Sequence, residues 1–116
     1  MLSFGFKHGV PLDADLVFDA RFLPNPHFVP TLKALTGLDR GVVRFMERHE
    51  VTGQFVRKLR DLLAFLVPQY VAEGKAYLTI AIGCTGGRHR SVYLVERLAN
   101  AFRSQNQVLI RHRELG

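Results

Sequence analysis

A cysteine, a threonine, two adjacent glycines, a serine and three basic side chains fall within nine residues, Gly83–Ser91, read GCTGGRHRS. That set suits the binding of an oxyanion. Gly86 and Gly87 carry no Cβ, so successive backbone N–H groups can turn toward one point and form an anion-binding nest. Thr85 and Ser91 add hydroxyl donors. Arg88, His89 and Arg90 add cations, and at the start of a helix they oppose its macrodipole unless an anion sits among them. The expected ligand is phosphate or a phosphorylated molecule. The plainer alternative is a tight turn whose glycines merely admit close helix packing.

The same residues fit a second chemistry. Cys84, five intervening residues, then Arg90-Ser91 is the spacing of the cysteine-dependent phosphatase loop. There a thiolate attacks phosphorus and the arginine holds two oxygens in a bidentate grip. Against it, Gly83 stands where that loop usually has His, and no motif places an aspartate as leaving-group acid. The sequence therefore predicts binding without catalysis and assigns no catalytic residue. A phosphatase using Cys84 and Arg90 is the enzymatic alternative.

Such a loop needs a strand before it and a helix after it. Tyr77–Ile82 is a continuous apolar run of strand formers, as a strand covered on both faces should be. Arg90–Arg103 reads as an amphipathic helix with Val92, Val95, Leu98, Ala99 and Phe102 inward. Gln107–Ile110 reads as a further strand, which completes a βαβ unit and implies parallel pairing. Upstream, Leu2–Phe6 and Leu16–Phe18 suit short strands, with a turn at Gly9–Asp13. Three prolines in Leu23–Pro30 forbid a regular helix and predict a rigid extended loop. Helices are expected over Thr31–Gly37, over Gly41–His49, and from Thr52, whose hydroxyl would cap the longest one. Phe55, Leu59, Leu62, Leu63 and Leu66 would form that helix's apolar face, Pro68 would kink or interrupt it and Gly74 would stop it. The expected fold class is α/β, a small single-domain sandwich over residues 1–116 with a mostly parallel sheet.

Composition narrows the partners. A chain of 116 residues with 47% hydrophobic content makes one domain with a real core. Sixteen Lys and Arg against ten Asp and Glu give a formal net charge of +6, which favours polyanions. One cysteine excludes an internal disulfide, and the five histidines lack metal-site spacing, so neither a metal nor a cofactor is expected. No apolar run is long enough to span a bilayer and no leader-like segment opens the chain, so a cytoplasmic protein is expected.

Four blocks carry a resemblance: SFGFKHG at Ser3–Gly9, VFDARFLPNPHF at Val17–Phe28, LTGLD at Leu35–Asp39 and GCTGGRHRSVYL at Gly83–Leu94. In order and content they resemble the C-terminal domain of the RapZ/YvcJ family, across nearly the whole chain. Members of that family also carry an N-terminal nucleotide-binding domain, but no Gly-x-x-x-x-Gly-Lys-Ser/Thr occurs here, so nucleotide hydrolysis is not implied. The resemblance implies an RNase adapter that presents a small regulatory RNA to a ribonuclease. It also implies sensing of an amino-sugar phosphate such as glucosamine-6-phosphate, or of a UDP-sugar. Cys84, Thr85, Gly86, Gly87 and Arg90 match the family's glycine loop, and His27 matches the histidine after the Asn-Pro pair.

Around that loop, Ser91, Asn25, His27 and Lys7 are candidate ligand contacts. Asp19 or Asp13 could receive an ammonium group, although Asp19 is as easily the partner of Arg21. Arg88, His89, Arg90, Arg103, Arg111, His112 and Arg113 are the candidate RNA contacts. No RNA-recognition-motif aromatic signature is present, so backbone and shape of a folded RNA are the expected target. The plain alternative is that these charges are solvated faces. A module that builds a homo-oligomer and positions a nucleotide-binding domain is the third functional reading.

Overall fold

The computed structural model describes all 116 residues, Met1–Gly116, and builds them around a four-stranded sheet. Its strands are β1 (Leu2–Gly5), β2 (Leu16–Asp19), β3 (Ile80–Cys84) and β4 (Arg111–His112), and its helices are α1 (Arg40–Glu47), α2 (Glu50–Glu73) and α3 (Arg90–Phe102). The order is β2-β3-β1-β4 and every pair is parallel. The α/β class is thus as expected, with a sheet that is wholly parallel. All five residues of β3 are buried, which its central place demands. Parallel strands bring their carboxyl ends to one edge, so the turns leaving β1, β2 and β3 share it. There Gly5 lies opposite Cys84 and Asp19 opposite Gly83.

Helix α3 lies on β1 and β3, and α1 and α2 pack against α3. Ile80 and Ile82 join Leu94, Val95 and Leu98 of α3, Val42 and Met46 of α1, and Val56, Leu59 and Leu63 of α2 in one core. The expected inward face of α3 holds, and Tyr93 and Leu94 are buried as well because the helix has neighbours on two sides. In α2 the buried stripe is Thr52, Val56, Leu59 and Leu63, so the expected apolar face is rotated and Leu62 is largely exposed.

Several boundaries differ from the sequence reading for identifiable reasons. Residues 31–37 form turns, not a helix; the Gly37 amide donates to the Arg88 carbonyl at 2.8 Å, which ends any local helical ladder. Strand β3 begins at Ile80, not Tyr77, because the Asp15 and Leu16 amides converge on the Thr79 carbonyl and the ladder starts after it. Tyr77 is 86% exposed. Gln107–Ile110 is not a strand either: the Met1 amine donates to the Leu109 carbonyl and the Arg111 amide to the Met1 carbonyl at 2.9 Å, and ladder pairing runs from Arg111, opposite Leu2. The unit β3–α3–β4 also skips a strand, with β4 docking on β1. Helix α2 starts at Glu50, so Thr52 lies inside it rather than capping it, and Pro68 is carried within it. Gly74 ends it in the left-handed region at φ 100°. In the proline-rich segment Pro26–Phe28 makes one 3-10 turn, and the Asn25 side chain accepts the His27 amide at 3.1 Å. No helix is long and apolar enough to cross a membrane.

Thr52 is fully buried and its hydroxyl has no hydrogen-bond partner. Thr52→Val replaces that unmet hydroxyl with a methyl group and should raise the unfolding free energy by about 1 kcal/mol. A higher urea midpoint at unchanged slope is the expected result, and a lower midpoint would show that the hydroxyl contributes to stability.

Candidate functional site

Strand β3 ends at Cys84 and α3 begins at Arg90, so Thr85–His89 forms the turn on the carboxyl edge of the sheet. Its carbonyls are turned into the protein: that of Thr85 accepts the Lys7 amide at 3.2 Å, that of Arg88 the Gly37 amide at 2.8 Å, and that of His89 the Tyr93 amide at 3.0 Å. Its amides are not, because no N–H from Thr85 to His89 donates to another group of the chain. His89, the residue before α3, supplies no side-chain cap. The helix start therefore presents uncompensated donors together with the positive end of its dipole.

The two glycines have different duties. Gly87 has φ 79°, and a Cβ on it would press on the Gly5 amide and lie 2.5 Å from Glu114 Cγ. A Cβ on Gly5 would in turn lie 2.5 Å from the Gly86 carbonyl group. Gly86 itself faces open space, with nothing within 4 Å of a Cβ built there. The loop is fixed against β1 through Gly87 and is open at Gly86.

Arg90 is only 4% exposed. Its Nη1 donates to the Arg21 carbonyl at 2.6 Å and to the Leu23 carbonyl at 3.0 Å, which ties α3 to the chain leaving β2. Nη2 lies 3.4 Å from Thr85 Oγ1, and Nε has no partner at all. The guanidinium is thus anchored by one nitrogen, while the Nε–Nη2 edge, the pair that grips an oxyanion bidentately, is weakly engaged or free. Cys84 Sγ lies against the first turn of α3, accepting the Ser91 amide at 3.4 Å and standing 3.2 Å from the Ser91 hydroxyl.

The rim carries further charge. Asp19 and Arg21 form a forked ion pair, with Nη2 2.7 Å from Oδ2, and hydrogen bonds from Arg21 hold the Asp19 carboxyl below the usual carboxylate range. Arg21 also stacks 3.9 Å over the Phe6 ring. Asp19 therefore meets its own neighbour, the bland expectation for it, and Asp13 lines a cavity at the other edge of the sheet. Lys7 is exposed, and its amide bond to Thr85 brings its backbone to the loop. His27 is exposed and stacks edge-on against Phe28 at 5.8 Å. Asn25 is occupied in capping its own turn.

The basic residues do not form one surface. Arg88, Arg103 and Arg111 are exposed, and Arg103 touches Asn100. His89 is 7% exposed, and burial depresses its pKa from the ordinary value, against the pull of the Leu35 and Leu32 carbonyls and with a contribution from His27. His112 is turned inward: its Nδ1 lies 2.7 Å from Ser3 Oγ and its Nε2 2.8 Å from Glu96 Oε2. Arg113 is tied to Glu114 and to the Gly9 carbonyl. Sequence reasoning missed Ser3, Glu96 and Glu114. Glu114 accepts the Gly5 amide at 2.9 Å and braces the loop at Gly87; although its burial favours the neutral acid, that amide and Arg113 hold its carboxyl below the usual range. A mostly apolar cavity of about 650 Å³ lies at the amino edge among Tyr70, Tyr77, Phe102 and Leu109, with Asp13, Arg111 and Arg113 in its lining and no residue of the Cys84–Ser91 loop.

The family described as the RapZ C-terminal domain matches residues 1–116. A nucleotide-binding protein of Symbiobacterium thermophilum is 60% identical over 116 residues, covering 99% of this chain and 38% of that protein. The RNase adapter protein RapZ of Erwinia tasmaniensis is 54% identical over 114 residues, covering 97% of this chain and 40% of that protein. The chain thus spans about two fifths of the length of these relatives. With the match running from the first residue to the last, the chain belongs to the RapZ C-terminal domain family.

Proposed function

We propose that this domain binds a phosphorylated metabolite, an amino-sugar phosphate foremost, at the Cys84–Ser91 loop, and contacts structured RNA through the basic residues beside it, as the sensing part of an RNase adapter. The observation that carries the ligand reading is a buried arginine, anchored by one nitrogen and unpartnered at Nε, beside loop amides that donate to nothing. A buried unmet donor such as Arg90 Nε costs free energy, and an oxyanion set between it and the free loop amides would satisfy both. Lys7 and His27 are the proposed contacts to the rest of the ligand, and Thr85 and Ser91 supply hydroxyls. The RNA role rests on the relatives named RNase adapter and on the net charge of +6, with exposed Arg88 within the loop as the foremost contact. A ribonuclease is the proposed protein partner, through the same kinship.

A saturating phosphorylated ligand should raise the melting temperature, by a stabilisation of about 2.7 kcal/mol at one hundred times its Kd. Arg90→Ala should abolish that increment. It should also lower the ligand-free baseline by about 1–3 kcal/mol, because the Arg21 and Leu23 carbonyls lose their donor. Thr85→Ala separates the two effects, since this exposed side chain should weaken the increment and leave the baseline in place. An unchanged melting curve with millimolar inorganic phosphate and glucosamine-6-phosphate would remove the ligand reading.

For the RNA, log affinity should fall against log salt with a slope of roughly 0.7–0.9 per phosphate neutralised. Arg88→Ala should reduce both affinity and slope, and a saturating phosphorylated ligand should weaken binding by neutralising the same cations. A flat salt response would remove the RNA reading and leave the ligand reading untouched.

A further inference from the structure

The sequence places Cys84, Arg90 and Ser91 at phosphatase spacing but offers two objections, Gly83 in place of His and the lack of an acid. The geometry answers the first. A Cβ on Gly83 would lie about 2.5 Å from the Phe4 ring and 2.6 Å from the Phe6 ring, so glycine is demanded there by packing and says nothing against the chemistry next to it. The second objection becomes a statement about substrates. Asp19 opposite Gly83 and Glu114 beside Gly87 are the carboxylates at this edge, and their ion pairs with Arg21 and Arg113 keep both ionised, so neither has a proton to give a departing alkoxide.

Two features beside the sulfur suit the chemistry. Sulfur sits at the carboxyl end of the central strand and at the head of a thirteen-residue helix. The Ser91 amide donates to it at 3.4 Å, a contact that favours negative charge on sulfur, and the thiol itself donates to the Ser91 hydroxyl oxygen at 3.2 Å. Independently of the cysteine, the Arg90 head is enclosed over the same loop with Nε unpartnered. We propose that Cys84 is a nucleophile and that the loop hydrolyses phosphate monoesters and anhydrides whose leaving groups depart without a proton, namely aryl and acyl phosphates. This inference rests on the reading of the loop as an oxyanion site.

The step runs as follows. The thiol gives its proton to solvent, and the thiolate forms a bond to phosphorus as the bond to the leaving oxygen breaks. The leaving group takes the electron pair as phenolate or carboxylate. Arg90 and the loop amides hold the three remaining oxygens. Water then attacks the phosphocysteine, the sulfur–phosphorus bond breaks, and orthophosphate and the thiolate are released with one proton to solvent. A sugar phosphate is an alkyl ester and lacks a leaving group of this kind. It occupies the site unchanged, which is what a sensor requires of its ligand.

The test uses the 116-residue domain with p-nitrophenyl phosphate and acetyl phosphate from pH 5 to 8. Release of phosphate is expected from the wild type, with a single phosphoryl group on Cys84 after acid quench by intact mass. Cys84→Ser should lose turnover, the adduct and tight inhibition by orthovanadate, and should keep the melting-temperature increment from inorganic phosphate. Glucosamine-6-phosphate should inhibit without being consumed. Release no greater than that of Cys84→Ser, with no adduct and the phosphate increment intact, overturns the catalytic proposal alone. Loss of the phosphate increment in the wild type overturns the oxyanion site as well. Rapid hydrolysis of the sugar phosphate would overturn the assignment of a site without an acid.

Discussion

Where β1 ends, its main chain runs against the main chain of the loop after β3, with no side chain between them. Gly5 and Gly87 are both required for that approach: a Cβ on either would collide with backbone. The contact fixes which way the loop peptides face. Carbonyls of Thr85, Arg88 and His89 find donors inside the protein, and the amides are left pointing elsewhere. The free loop amides are thus a by-product of how tightly two segments of backbone pack, set before any side chain takes part.

Arg90 adds the second constraint. Burying a guanidinium is expensive unless its donors are met. Two carbonyls from the chain leaving β2 meet Nη1, so the same residue holds β2 and α3 together and aims what remains of its head at the loop. Nη1 carries the structural anchoring, and Nε is left without a partner. A lysine, with one nitrogen and no fixed plane, could not divide its hydrogen bonds in this way.

What the sequence reveals here depends on how local each signal is. The loop is legible because Cys, Gly, Arg and Ser crowd into nine residues, and the inward face of α3 is legible because Val92, Val95, Leu98 and Ala99 recur at helical spacing. The α/β class and the family resemblance follow from the same local blocks. Element ends are less legible. Strands β3 and β4 begin where a partner becomes available, at Thr79 and at Met1, and neither limit is written in the strand itself. Residues 31–37 carry an adequate helical pattern that the distant Arg88 carbonyl overrides. Ser3, Glu96, His112 and Glu114 carry no local signature: they meet across separations of up to 109 residues.

Those long separations govern how the domain assembles. The first strand finds its edge partner only in Arg111 and His112, and the loop gains its brace only when Glu114 reaches Gly5 and Gly87. Closing so long a stretch of chain costs entropy before any contact repays it. The outer edge of β1 therefore stays unpaired until Arg111 and His112 have docked on it. The carboxyl edge is then completed late, because the helices form from near neighbours while the brace at Gly5 and Gly87 needs a residue more than a hundred positions away.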